Sequence, residues 1–117
     1  MPTYFLKPDR RGDICLPDML RDTHLGFYKC TTDDGLRYLS VSNSSDECIY
    51  IDRTGKLRLS ETLLKYLFRP RSFVLIVYSG TPDPDAEMEF WGKRAFRRFL
   101  KESSSVELLE FAGEMGL

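Results

Sequence analysis

Asp9-Arg10-Arg11-Gly12-Asp13-Ile14-Cys15-Leu16 returns forty-three residues later as Asp52-Arg53-Thr54-Gly55-Lys56-Leu57-Arg58-Leu59. Over the twelve aligned positions 9–20 and 52–63, five are identical. The flanks repeat in the same order, and order is what a duplicated structural unit preserves. An apolar run, Tyr4-Phe5-Leu6 or Cys48-Ile49-Tyr50-Ile51, precedes each charged tetrad that ends in Gly. A strand pattern follows, with Ile14 and Leu16 alternating against Cys15, and Leu57 and Leu59 against Arg58. Pro17 and Ser60 then suit the start of a short helical stretch. Two further strands close each copy. In the first they span 26–31 and 36–41 around Asp33-Asp34-Gly35, a hairpin signal because Asp tolerates turn backbones and Gly supplies positive φ. In the second they span 72–79 and 88–91, joined by a Pro-rich loop at 80–84.

A chain of 117 residues with 42% apolar content has room for one hydrophobic core, so two such units must share it in a compact barrel or sandwich. The expected fold class is mainly β with short helices (α+β), a single domain built of a first unit at 1–44, a second at 45–92 and a C-terminal helical segment at 93–117. No stretch approaches the roughly 20 apolar residues needed to span a bilayer, and the start lacks a charged region followed by an apolar run. The expectation is therefore a soluble, cytoplasmic protein without a signal peptide. Cys15, Cys30 and Cys48 are odd in number and form no Cys-x-x-Cys pair, which reads as reduced, inert thiols rather than a disulfide framework or a zinc site.

Seventeen basic and eighteen acidic residues nearly balance, so distribution carries the information. Between positions 53 and 71 the cations Arg53, Lys56, Arg58, Lys65, Arg69 and Arg71 face only Glu61, whereas Arg10, Arg11 and Arg21 alternate with Asp9, Asp13, Asp18 and Asp22. A second basic run, Lys93, Arg94, Arg97, Arg98 and Lys101, follows the strand at 88–91 and falls largely opposite Phe96, Phe99 and Leu100 on a helix. That run reads as a solvated face, with phosphate binding as its functional alternative. Ser103-Ser104-Ser105 breaks this helix and caps a second, partly apolar one that ends at Gly116.

The strand, Asp-x-x-Gly turn, alternating strand and Pro-led short helix at 9–21 resemble the SpoVT-AbrB domain. Two such units in one chain resemble the MraZ family, and Met88-Glu89-Phe90-Trp91 leading into a helix extends the likeness over nearly the whole chain. The resemblance implies a shared β-barrel of double-ψ or swapped-hairpin type. It also implies a bacterial, nucleoid-associated regulator of transcription that binds duplex DNA and assembles as a homo-oligomer, in rings. In that family the DNA contact lies at the first-hairpin turns, where the residue after Gly is usually Arg. Here Lys56 keeps the charge after Gly55, Asp13 reverses it after Gly12, and Ser60 stands where Pro is usual. The DNA-binding residues are expected to be Arg10, Arg11, Arg53, Lys56 and Arg58, with the two tips forming one paired cationic edge if the halves intertwine about a pseudo-twofold axis.

Two other classes compete. Single-copy relatives of the unit act as antitoxins that bind a protein through a C-terminal extension, so the tail from Ser103 admits a protein-binding reading; the tandem unit could also be a scaffold without DNA affinity. Catalysis finds no site. Asp33-Asp34 is explained by turn chemistry, Asp83 and Asp85 alternate with prolines, and His24 reads as the end of the first short helix. With no phosphate-cradling Gly loop, metal-ligand spacing or nucleophile elbow, no enzyme activity, cofactor, metal, membrane contact or small-molecule substrate is expected.

Overall fold

The computed structural model describes residues 3–42, 48–78 and 86–102. The loop at 80–84, Asp83 and Asp85, and the second C-terminal helix read at 106–115 lie outside the described residues. The first copy supplies β1 (Thr3–Leu6), β2 (Ile14–Cys15), a 3-10 turn (Asp18–Leu20), β3 (Thr23–Thr31) and β4 (Arg37–Ser42). The second supplies β5 (Cys48–Ile51), β6 (Lys56–Leu57), α1 (Glu61–Tyr66), β7 (Phe73–Val77) and β8 (Met88–Gly92), after which α2 runs over Lys93–Glu102. The chain is thus mainly β with few helices.

Six strands pair antiparallel in the order β1-β7-β8-β4-β3-β5, and β2 and β6 form a separate two-stranded ribbon. Exchanging β1 with β5, β3 with β7 and β4 with β8 turns that order into its own reverse. Each half therefore lends its first strand to the other: β1 pairs with β7, and β5 pairs with β3. The strands β4 and β8 meet at the middle of the sheet, as do β2 and β6 in the ribbon. Within the ribbon Ile14 lies opposite Leu57, and these two residues are forty-three apart, the repeat spacing itself. A pseudo-twofold axis passes through that pair.

Burial follows the pleat. The strand β7 is buried throughout because both of its faces are covered. Phe73, Leu75 and Val77 join Leu6, Ile14, Leu57 and Phe90 in the main core, while Val74 and Ile76 point the other way, against Trp91, Phe96 and Leu100. That second cluster holds α2 on the sheet. A ten-residue helix is marginal alone, and burying Phe96 and Leu100 contributes roughly 1.5–3 kcal/mol each, so packing rather than propensity makes it. The symmetry breaks here, since α2 packs on β7 and β8 while Tyr28 of β3 remains exposed.

Two local readings are corrected, at His24 and in the extent of the strand at 72–79. His24 does not end a helix: the 3-10 turn closes at Leu20, whose carbonyl accepts from Thr23 Oγ1 at 2.6 Å. Pairing with β5 extends β3 back to Thr23 and sets His24 opposite Tyr50, ring centroids 5.0 Å apart. The short helical stretches after Pro17 and Ser60 stand as read, the first a single 3-10 turn without a side-chain cap and the second an α-helix whose Ser60 Oγ accepts from Leu63 N at 3.3 Å. The strand expected at 72–79 is the shorter Phe73–Val77. The hairpin at Asp33-Asp34-Gly35 stands as read, with Gly35 at φ +86° and its N–H on the Thr32 carbonyl at 2.9 Å. No disulfide joins Cys15, Cys30 and Cys48.

Phe90 is fully buried at the centre of the sheet, edge-on to Phe27 at 5.9 Å and stacked near Phe73 at 5.0 Å. Phe90→Ala removes both contacts and is expected to cost about 3–5 kcal/mol in urea unfolding; a loss below about 1 kcal/mol would contradict this packing.

Candidate nucleic-acid interface

Both Asp-x-x-Gly tetrads fold by one device. The Asp9 carboxylate accepts from the backbone N–H of Arg11 (2.8 Å) and Asp13 (3.0 Å), and Gly12, at φ +84°, donates to the Asp9 carbonyl (3.0 Å). At the second turn Asp52 accepts from Thr54 N at 2.9 Å and from its hydroxyl, while Gly55, at φ +71°, donates to the Asp52 carbonyl at 3.1 Å. Asp supplies the side-chain acceptor and Gly the left-handed backbone, which is why those two positions recur while the third changes from Arg11 to Thr54. At Gly12 the need is conformational only, since a Cβ there would meet nothing within 4 Å. At Gly55 a Cβ would also lie 3.1 Å from Arg21 Nε.

The ribbon decides which cations meet. Because β2 runs antiparallel to β6, the start of each strand faces the end of the other. Asp13 consequently faces Arg58, whose Nε lies 2.9 Å from its Oδ1 and whose Nη2 donates to the Arg11 carbonyl at 3.2 Å. Lys56 Nζ reaches back to Asp9 Oδ2 at 3.6 Å. Arg10, Arg11, Lys56 and Arg58 thus gather at the first turn, where they meet the carboxylates of Asp9 and Asp13. Four cations against two anions leave a local charge of +2. The side chains of Arg10 and Arg11 make no ion pair among the described residues, and both residues are exposed.

Arg53 sits elsewhere. Its turn abuts the far end of the ribbon, where Leu16 N donates to the Gly55 carbonyl at 2.8 Å. The step from Asp13 to Leu16 separates the two turns by about 10 Å along the ribbon. Around Arg53 lie Asp52, Asp22 (whose N–H reaches the Asp52 carbonyl at 3.4 Å) and the Arg21–Asp18 ion pair at 2.9 Å. Two cations stand against these three anions, and the Lys56 charge acts on Asp52 as well, so this end carries no cationic surplus. The expected single cationic edge joining both tips is therefore concentrated at the first turn.

The ion pairs themselves are weak holders. Arg58 is 63% exposed and the Lys56–Asp9 pair lies in solvent, where water and salt screen both pairs and leave them little stabilising effect. Asp13 differs in being only 16% exposed, which keeps its charge fixed against the strand and opposite Arg58. Between the first turn and α1 runs a cleft of about 530 Å³, with Arg11, Arg58 and Arg69 on its walls and Ile14, Leu64 and Phe73 among its apolar lining. The sequence reading missed that Arg58 and Lys56 belong to the first turn, because no local signal reports which strands pair. Among the described residues no cluster of three potential metal ligands occurs, and no helix is long and apolar enough to cross a membrane.

No protein-family model and no curated protein matches the chain.

The Asp9 carboxyl is held below its ordinary value of 3.8, chiefly by the Asp13 N–H, with the Arg11 N–H and the Lys56 charge adding to it. Asp52 is lowered chiefly by the Thr54 hydroxyl and then by the Thr54 N–H. A folded pKa below the unfolded one means that both carboxylates support the turns above the ordinary value and release them as the pH falls through the folded one. A side-chain NMR titration should place both midpoints below 3.8; midpoints at or above that value would contradict the turn geometry.

Proposed function

We propose that the chain is a tandem SpoVT-AbrB-type barrel of the MraZ kind, which binds duplex DNA through the basic first turn as a homo-oligomer. The exchange of β1 and β5 between the halves supports the tandem reading, since a palindromic strand order is what two intertwined copies of one unit produce. The observation that carries the function is the convergence of Arg10, Arg11, Lys56 and Arg58 on a turn held rigid by Asp9. Exposed cations on a fixed turn suit phosphate contact and groove entry. Lys56 would act as a point charge, whereas Arg10 and Arg11 keep the fork that reads a guanine edge.

A net charge of +2 on the turn allows only a few phosphate contacts per protomer. Binding by one protomer is then weak, and useful affinity comes from several protomers on repeated sites. The scaffold reading draws on one specific observation: Asp13 occupies Arg58. If that pair merely mutes a DNA surface, releasing it strengthens binding; if the surface never binds, releasing it changes nothing.

Fluorescence anisotropy of a labelled duplex from upstream of the protein's own gene, against a shuffled duplex, tests the reading. The double variant Arg10→Glu, Arg11→Glu is expected to weaken binding by at least about tenfold and to flatten its salt dependence. Unchanged affinity would overturn the proposal. Asp13→Asn is expected to tighten binding about three- to tenfold at low salt and to steepen the salt slope by about one contact. No change on release of Arg58 would favour the scaffold.

A further inference from the structure

A second cationic surface lies away from the first turn. The β3–β4 hairpin, the connection from α1 to β7 and the start of α2 enclose a cleft of about 790 Å³. Seven of its fifteen lining residues are Arg or Lys, and none is Asp or Glu. Some of these cations are engaged. Arg69 pairs with Glu61 at 2.7 Å, Arg98 with Glu102 at 3.9 Å, and Lys93 lies over the Phe5 ring at 4.8 Å. Arg71, Arg94 and Arg97 make no ion pair among the described residues.

Two features of this cleft are unexplained by folding. The first turn of α2 carries Lys93 and Arg94 and no acid, which places positive charge at the positive end of the helix dipole. Lys93 is held over the Phe5 ring, but Arg94 has no ion pair among the described residues and works against the dipole. The second feature is Phe68, which is 73% exposed and holds φ +63°, followed by Arg69 at φ +50°. These left-handed residues end α1, with the Phe68 and Arg69 N–H groups on the Lys65 and Leu64 carbonyls at 3.0 and 2.8 Å. Glycine fits such a helix end without strain, and a bulky side chain does not. The backbone thus presents an aromatic ring on the cleft wall, with the Arg37 guanidinium 4.7 Å from its centroid.

A basic groove beside an exposed aromatic ring is the chemistry that takes unpaired bases: phosphates meet the cations and a base face meets the ring. A duplex hides its base faces within the stack and would leave Phe68 without a role. A lipid surface would call for a wider apolar patch than one ring. We propose that this cleft binds single-stranded nucleic acid, with phosphates on Arg71, Arg94 and Arg97 and one base stacked on Phe68. The site is separate from the first turn, although Arg69 and Pro70 border both clefts, so the test leaves Arg69 intact.

The probe is a labelled oligothymidine of about twelve nucleotides, titrated with the full chain beside a duplex of equal length, at low and near-physiological salt. Arg94→Glu with Arg97→Glu should weaken oligothymidine binding by at least about tenfold, and Phe68→Ala by at least about fivefold. Both changes are exposed, and Phe68→Ala keeps the Cβ and so leaves the left-handed backbone as it was, so thermal melts are expected to stay close to that of the unsubstituted protein. Arg10→Glu with Arg11→Glu should leave oligothymidine affinity within about twofold, which separates this cleft from the duplex surface. Oligothymidine affinity unchanged by the α2 reversals or by Phe68→Ala would overturn the proposal. So would an equal loss of duplex binding in the same variants, or no binding of oligothymidine at low salt.

Discussion

The pairing of β2 with β6 is the contact on which the arrangement of the surface depends. It is two residues long in each strand, yet it puts Ile14 against Leu57 on the pseudo-twofold axis, both buried. A buried pair at that point fixes the register, because a slip of one residue would turn Ile14 and Leu57 outward and Cys15 and Lys56 inward. Everything at the two turns follows from the register. Asp13 faces Arg58, Leu16 faces Gly55, and each Asp-x-x-Gly tetrad lands at the opposite end of one short ribbon.

This geometry makes two chemically similar tetrads behave differently. The first turn gathers cations from both halves of the chain, since Lys56 and Arg58 arrive from the second copy. The second turn receives carboxylates from the first copy, Asp18 and Asp22, along with Arg21. The two turns are thus electrostatically unequal, with the surplus of cations at the first. Under the proposed function, an oligomer would present this basic turn once per protomer, and its affinity would depend on how many turns reach the duplex together.

Much of the fold was readable in the residues because the local signals were strong. Period-two alternation marked Ile14, Leu16, Leu57 and Leu59 as inward, and all four are buried. Asp33-Asp34-Gly35 marked its hairpin, and the spacing of Phe96 and Leu100 marked the buried side of α2. What escaped reading was set by partners remote in sequence. The strand β3 begins at Thr23 because β5 pairs there, and nothing near His24 reports it. The convergence of Arg37, Arg71 and Arg94 joins a hairpin, a connection and a helix, so no run or motif links them. Phe68 would pass in any pattern for a core residue; only its backbone and exposure show that it is not.

The proposed function has the first turn, and not the second, meet duplex DNA. Amide chemical-shift mapping by NMR, with unlabelled duplex titrated into isotope-labelled protein, tests it at residue resolution. Perturbations centred on residues 9–13 and 56–58 are expected, with residues 52–54 little affected. Perturbations centred on residues 52–54 and 21–22, or absent from residues 9–13 while duplex is bound, would contradict it.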